Sequence, residues 1–323
     1  MASTTCKKSK FGKNTKALDV VAGLDLSGKT FFITGANSGI GFETTRALAL
    51  RGAHVVMGCR STTRAQDARG AILREKPDAK IDLILLDNGN LKLVHECARQ
   101  YIANGWPLHC LILNAGVYSP EPRVTADGFE STFQTNHLAH FLLVNLLTPL
   151  LIASAPSRIV IVSSEAHRTA NILKLTPNDI TWDYLSSVGD GKKLNSAYQA
   201  YGISKLCNIL HTKALHDRLA SKDITVNCLH PGVIKTNIQR NSKVLSRFMN
   251  IAKPWMKNME QGAATTVYCA VAAELNPGSG GLYYDDCKPR STTGTAQRRD
   301  NADKLWLLSE SMLQQHKEKH GQA

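Results

Sequence analysis

The chain has 323 residues, 43% of them hydrophobic and 20% charged, with 23 glycines and 11 prolines. Proportions this ordinary exclude a collagen, a coiled coil and disorder throughout. The formal charge is +13, from 39 basic and 26 acidic residues, but it is scattered and has no zinc-finger or RNA-binding aromatic signature beside it, so no nucleic-acid partner is expected.

Residues 1–25 read as a basic flexible lead-in, with Lys7, Lys8, Lys10, Lys13 and Lys16 ahead of the first acid, Asp19. No apolar core follows these lysines, so no secretory signal is expected. Short β-rich runs then recur: TFFIT at 30–34, HVVMG at 54–58, IDLILL at 81–86, LHCLIL at 108–113, SRIVIVS at 157–163, ITVNCL at 224–229 and GLYY at 281–284. They are almost continuously apolar, as strands covered on both faces must be. Helix-length segments separate them, which predicts an α/β domain over 26–290, a single doubly wound parallel sheet of about seven strands. The stretch FLLVNLLTPLLIA at 141–153 is interrupted by Asn145, Thr148 and Pro149. It falls short of the roughly 20 residues that cross a bilayer, so no transmembrane segment is expected. Segments 165–197 and 237–260 break the rhythm. Residues 291–323 form a C-terminal extension whose helix packs Leu305, Trp306 and Leu308 back onto the domain. The eight cysteines, at 6, 59, 97, 110, 207, 228, 269 and 287, form no C-x-x-C pair. Buried free thiols in a reducing, cytoplasmic setting follow.

Directly after the first run comes Thr34-Gly35-Ala36-Asn37-Ser38-Gly39-Ile40-Gly41, leading into a helix. Glycines permit a tight turn and close backbone approach to a pyrophosphate, and the helix N-terminus offers it free N–H groups. Tyr201 and Lys205 are four apart on a predicted helix and share a face. An ammonium near a phenol stabilises the phenolate and brings a pKa near 10 towards the working range. Tyr198 lies seven residues from Lys205, two turns away, and is set aside.

The string TGANSGIG, with Asn114-Ala115-Gly116, Asn136, Ser163-Ser164, Tyr201-x-x-x-Lys205 and Pro231-Gly232 in order, resembles the short-chain dehydrogenase/reductase family. TFQTNHLAHF, IVIVSSEAHR, SKLCNIL and QGAATTVYCA resemble the oxidoreductase domain of WW-domain-containing oxidoreductases, with retinol dehydrogenases next. The 25 residues ahead of the domain could not hold a pair of WW domains, so adaptor roles tied to those domains are not carried over. The resemblance implies a Rossmann-like fold in which Ser164 holds a substrate carbonyl and Tyr201 moves its proton. Lys205 would hold the nicotinamide ribose, and Asn136 would anchor a proton-relaying water. It also implies that Asp87 meets adenine, and that Pro231, Gly232, Val233 and Thr236 line the carboxamide end of the cofactor. Ser163 would point to the other side of its strand.

Coenzyme choice is read near the end of the second strand. A ribose 2′-hydroxyl is ordinarily held there by an acid, whereas this chain has Gly58-Cys59-Arg60-Ser61-Thr62. Arg60 suits a 2′-phosphate, so NADP(H) is expected. Asn114, with Ala115 and Gly116, would let the fourth strand pass close to the adenosine. Residues 238–259 carry Ile238, Val244, Leu245, Phe248, Met249, Ile251, Trp255, Met256 and Met259, and the 165–197 segment adds Ile172, Leu173, Trp182 and Tyr184. Such apolar bulk predicts a small lipophilic carbonyl or alcohol substrate of steroid, retinoid or long-chain type. A contact between subunits is the other use of the same segment, so a homo-oligomer stays open. The alternative to an NADP(H)-dependent oxidoreductase is a non-catalytic dinucleotide-binding scaffold of the same fold. A sugar epimerase disagrees with the glycine spacing.

Overall fold

A computed structural model describes residues 9–119, 123–168, 196–234, 256–275 and 279–321. Among these, the apolar runs become β1 (Thr30–Thr34), β2 (His54–Cys59), β3 (Ile81–Leu85), β4 (Cys110–Leu113), β5 (Ser157–Val162), β6 (Ile224–His230) and β7 (Tyr283–Asp285). All seven are parallel, in the order β3-β2-β1-β4-β5-β6-β7. An eighth strand, β8 (Lys288–Pro289), returns antiparallel to β7. Its hairpin turn places Asp286 and Cys287 at φ +52° and +59°. That backbone is the one asparagine–glycine turns favour, and a sequence with neither residue there gives no sign of it.

Each strand feeds two cores, because alternate side chains leave opposite faces of the sheet. In β1, Phe31 and Ile33 join one apolar layer and Phe32 joins the other. The first layer takes residues from helices Gly39–Ala49, Thr62–Glu75 and Met259–Val271, and from the short turn Ala17–Val20, whose Ala17 and Val20 are buried with the following Val21. The second takes residues from helices Leu91–Ala103, Ser131–Ala153, Ser196–Leu219 and Arg299–His320. Asn90, Ser61, Asn258 and Thr293 cap helix starts by accepting backbone N–H bonds, as short polar side chains do at that position.

Two features of the second layer bear on the expectations. Leu305 is buried, and Trp306 sits 4.8 Å edge-on from Phe141 with the Arg218 guanidinium 4.2 Å above its ring. The C-terminal helix therefore covers helix Ser196–Leu219, as its apolar residues suggested. The apolar stretch at 141–153 belongs to a longer helix, Ser131–Ala153, of 23 residues, which by length and composition alone could span a bilayer. Sixty-one per cent of its apolar window is buried inside the fold, which identifies it as a core helix here. The helix begins ten residues ahead of that stretch, at Ser131, and those residues are mostly polar in sequence.

β1 has β2 on one side and β4 on the other, so successive crossovers leave it in opposite directions. At such a reversal the loops after the two strands part and leave a crevice at the carboxyl edge of the sheet.

Candidate active site

The glycine turn closes one wall of this crevice. Gly35 has φ +66°, and a side-chain carbon added to it would stand 3.0 Å from Ala115 Cα. At Gly41 the same atom would strike the Gly35 carbonyl and come within 2.6 Å of Asn114 Nδ2. The turn thus needs glycine for contact with its own neighbours. Gly39 has φ +56° and opens the helix Gly39–Ala49, where Ser38 is the N-cap residue but makes no capping bond. Ser38 is exposed, with Asn37 and Ile40 half-buried beside it, so hydroxyl and helix N-terminus both face an open cradle. A pyrophosphate fits this donor set. Asn114 Nδ2 donates to the Thr34 and Gly35 carbonyls at 2.9 and 3.3 Å, tying the end of β4 to the turn.

Arg60 is exposed at the end of β2, and no ion pair of its guanidinium is found among the described residues. Ser61 caps the next helix, Thr62–Glu75, whose first turn contains no acid. Asp87 lies half-buried after β3, with Oδ1 accepting the Gly89 N–H at 2.9 Å. These positions line the same side of the crevice as the glycine turn, since β1 pairs with β2 and β2 with β3.

Across the crevice, β5 delivers Ser163 and Ser164 to opposite sides. Ser163 is buried and its hydroxyl donates to the Lys205 carbonyl at 2.7 Å. Ser164 is half-buried, and its hydroxyl bonds the phenol of Tyr201. The loop behind Ser164 is held firmly. Its carbonyl accepts from His167 Nδ1 at 2.7 Å, and its Oγ accepts the Ala166 N–H at 3.2 Å. The carboxylate of Glu165 receives the Tyr283 hydroxyl at 3.0 Å.

Tyr201 and Lys205 lie one turn apart on helix Ser196–Leu219, with Lys205 Nζ 5.6 Å from the Tyr201 ring centroid. Lys205 is buried and donates to the Val162 carbonyl at 3.0 Å. Burial without a counter-ion drives its pKa down to about 8. Tyr201 is only partly covered, yet desolvation pushes its phenol up to about 12, against a lowering by the Ser164 bond and a rise from Tyr198. The phenol therefore stays protonated at neutral pH, whereas the sequence expectation put it nearer the working range. Desolvation outweighs the lowering by the Ser164 hydroxyl.

Asn136 is buried in a π-helical turn, Gln134–Leu138, within the long core helix. Such turns push a side chain out of helical register and are frequent at functional sites. Its Oδ1 accepts the Val117 N–H at 2.7 Å, and its Nδ2 donates to the Val117 carbonyl at 3.0 Å and to Ser204 Oγ at 2.9 Å. The amide thus clamps the loop after β4. Gly116 makes room for this, because a side-chain carbon there would lie 3.2 Å from Lys205 Nζ and 3.4 Å from Asn136 Oδ1. Asn136, Lys205 and Gly116 meet at one point, and Tyr118 stacks edge-on against Tyr201 at 5.9 Å.

After β6, Pro231 is buried, Gly232 has φ +96°, and Val233 is exposed. A side chain at Gly232 would press on Lys257, whose ammonium pairs with Asp286 at 2.5 Å. Thr236 lies outside the described residues, as do all the apolar positions proposed for substrate contact except Met256 and Met259. Sequence reasoning missed Thr34, Asn88, His140, Tyr118, Glu165 and His167. Only the i, i+4 spacing of Asn136 and His140 could have drawn attention beforehand.

The profile of the family described as short chain dehydrogenase matches residues 29–174 and 185–244. A WW domain-containing oxidoreductase of Danio rerio is 45% identical over 310 residues, covering 96% of this chain and 74% of that protein. Retinol dehydrogenase 12 of Mus musculus is 38% identical over 290 residues, covering 90% of this chain and 88% of its own. A solved structure of an uncharacterized protein from Mycobacterium Paratuberculosis is 30% identical, with a TM-score of 0.68 over 93% of this chain and 98% of that one. With its parallel sheet, its glycine cradle and the meeting of Ser164, Tyr201 and Lys205, this chain belongs to the short chain dehydrogenase family of oxidoreductases.

Proposed function

We propose that the protein is an NADP(H)-dependent oxidoreductase that reduces a small lipophilic carbonyl compound, or oxidises the matching alcohol. The carrying observation is the bond between Ser164 and Tyr201 at the carboxyl edge of the sheet, one helical turn from Lys205. A bound nicotinamide dinucleotide supplies or accepts the hydride. Gly35, Asn37, Ser38, Gly39, Ile40 and Gly41 would hold its pyrophosphate, and Arg60 its 2′-phosphate. Asp87 and Asn114 would border the adenosine, while Pro231, Gly232, Val233 and Thr236 would border the other end.

Ser164 orients the carbonyl oxygen, and the neutral phenol of Tyr201, with its pKa near 12, donates the proton. A phenol that rests protonated is ready for the reductive direction. Lys205, with a pKa near 8, supplies positive charge beside the phenolate left behind. Asn136 keeps the β4 loop against this pair. The lipophilic substrate is supported by the apolar residues between 238 and 259 and by the name of the retinol dehydrogenase relative. Seven free buried cysteines among the described residues suit a reducing compartment, and a cytoplasmic location is part of this reading.

Purified protein assayed for NADPH oxidation with straight-chain aldehydes, retinal and a steroid ketone tests it. Each buried methylene is worth about 0.8 kcal/mol, so catalytic efficiency should climb about fourfold per carbon until the pocket is filled. A flat series, or preference for the smallest aldehyde, overturns the substrate assignment.

A further inference from the structure

Four segments that border the crevice converge on one side chain, that of His140. It is fully buried, one turn after Asn136 on the core helix. Its Nδ1 lies 3.2 Å from the Asn136 carbonyl, and its Nε2 lies 2.9 Å from both Thr34 Oγ1 and Asn88 Nδ2. A carbonyl can only accept, so Nδ1 carries the hydrogen and Nε2 is an acceptor. The partners leave no freedom either. Asn88 Nδ2 spends its other hydrogen on the Thr135 carbonyl at 3.0 Å. The Thr34 oxygen already accepts the N–H groups of Asn114 and Ala115 at 3.0 and 2.9 Å, so its own hydrogen must go to His140. The single lone pair of Nε2 is shared between the Thr34 hydroxyl and the Asn88 amide.

The elements so joined are the end of β1, the loop after β3, the loop after β4 and the helix that carries Asn136. We infer that His140, with Asn88 as its partner, is a positioning residue that locks the coenzyme crevice to the asparagine turn of the acid–base site. This rests on the proposed reading that a nicotinamide dinucleotide occupies the crevice. Protonation would set an Nε2 hydrogen against two donors, and burial together with the nearby Lys205 holds the imidazole neutral, with a pKa near 3. The neutral form with its hydrogen on Nδ1 is therefore the one that the surrounding groups require. Fully satisfied buried networks of this kind fix one arrangement, because any alternative strands a polar group away from water. Asn88 supplies the second donor that the Nε2 of a histidine at 140 accepts.

Three substitutions separate the two ends of the imidazole. His140→Phe removes both. His140→Gln keeps an acceptor near the Nε2 position, and His140→Asn keeps a donor near the Nδ1 position. The readouts are the NADPH dissociation constant by fluorescence titration, measured well below each melting temperature, and backbone hydrogen exchange over residues 114–118. The expected result is a tenfold or greater rise in the NADPH dissociation constant for His140→Phe, with faster exchange at 114–118. His140→Gln should recover NADPH affinity to within about threefold of the unaltered protein, and His140→Asn should not. A purely structural role would lower the melting temperature of all three and leave NADPH affinity alike among the folded variants. NADPH affinities within twofold of the unaltered protein in all three, or equal behaviour of the Gln and Asn variants, overturn the inference. Failure of the unaltered protein to bind either NADPH or NADH would instead overturn the coenzyme reading beneath it.

Discussion

The ammonium of Lys205 stands 5.6 Å from the ring centroid of Tyr201 and spends a hydrogen bond on the Val162 carbonyl instead of on the phenol. The phenol of Tyr201 has Ser164 as its hydrogen-bonding neighbour, and in the proposed mechanism the proton comes from that phenol while Lys205 supplies the positive charge nearby. Replacing Tyr201 by Phe removes the proposed proton donor while leaving ring packing against Tyr118 in place. Turnover in the NADPH oxidation assay should fall by about 10²–10⁴-fold, with NADPH affinity retained. Tyr198→Phe should keep most activity, because Tyr198 is 43% exposed. A reversal of the two results would place the working phenol on the wrong turn of the helix.

The same geometry makes Lys205 a burden on stability. Its pKa falls from 10.5 unfolded to about 8 folded, so between about pH 8 and 10.5 the unfolded chain holds a proton that the native chain has released. Stability must rise with pH across that window, and below it the full penalty for a buried charge is present. Lys205→Met keeps the aliphatic stem, and the Val162 carbonyl still receives Asn208 Nδ2 at 3.2 Å. The variant should be inactive yet more stable at pH 7, by an amount on the order of a few kcal/mol. Calorimetry at pH 7 and pH 10 checks it, since the advantage should shrink at the higher pH. A lower melting temperature at pH 7 would show that the methionine packs badly or that the ammonium is better solvated than its burial implies.

The parallel sheet was legible because seven apolar runs had to be covered on both faces, and the covering helices lay between them. The glycine turn and the Tyr201–Lys205 pair were legible because turn geometry and i, i+4 spacing are local properties of the chain, whereas Ser164 followed only from the family resemblance. What stayed hidden depends on residues far apart in sequence meeting inside the fold. Nothing in the string around Asn88 tells that its amide will face His140, 52 positions later. The phenol pKa was misjudged for the same reason, because the balance between desolvation and a distant ammonium is set by packing. The π-turn of the long core helix was hidden likewise, since Gln134, Asn136 and His137 are polar in sequence but buried in space.

Arg60 governs coenzyme choice if its exposed guanidinium meets a 2′-phosphate. Arg60→Asp replaces attraction by repulsion next to a helix start with no acid in its first turn. Losing a charged hydrogen bond is worth roughly 1.5–3 kcal/mol. NADPH affinity should therefore drop by about 10–100-fold while NADH affinity holds or improves. Titration of both coenzymes against both proteins decides the matter. Equal affinities for the two coenzymes in the unaltered protein would remove Arg60 from the site.

Acid sensitivity follows from a set of histidines kept neutral by burial. His137 and His140 have pKa values near 3, His230 near 4, and His211 lies well below the usual range. In the unfolded chain each titrates near 6.5. As pH falls from 6.5 towards 4, the unfolded state gains protons that the native state refuses, so the native state loses stability throughout that window. Each histidine contributes at most about 1.4 kcal/mol per pH unit. His211 is the clearest single test, because its ring packs 5.2 Å from Phe141 and its Nε2 has no hydrogen-bond partner. His211→Phe should make the slope of unfolding free energy against pH, measured by urea titration between pH 6.5 and 4.5, shallower by up to that amount. The slope is the readout, because any loss of packing shifts the whole curve without tilting it. An unchanged slope would mean that His211 takes up its proton in the native state after all, with the C-terminal helix opening to admit it.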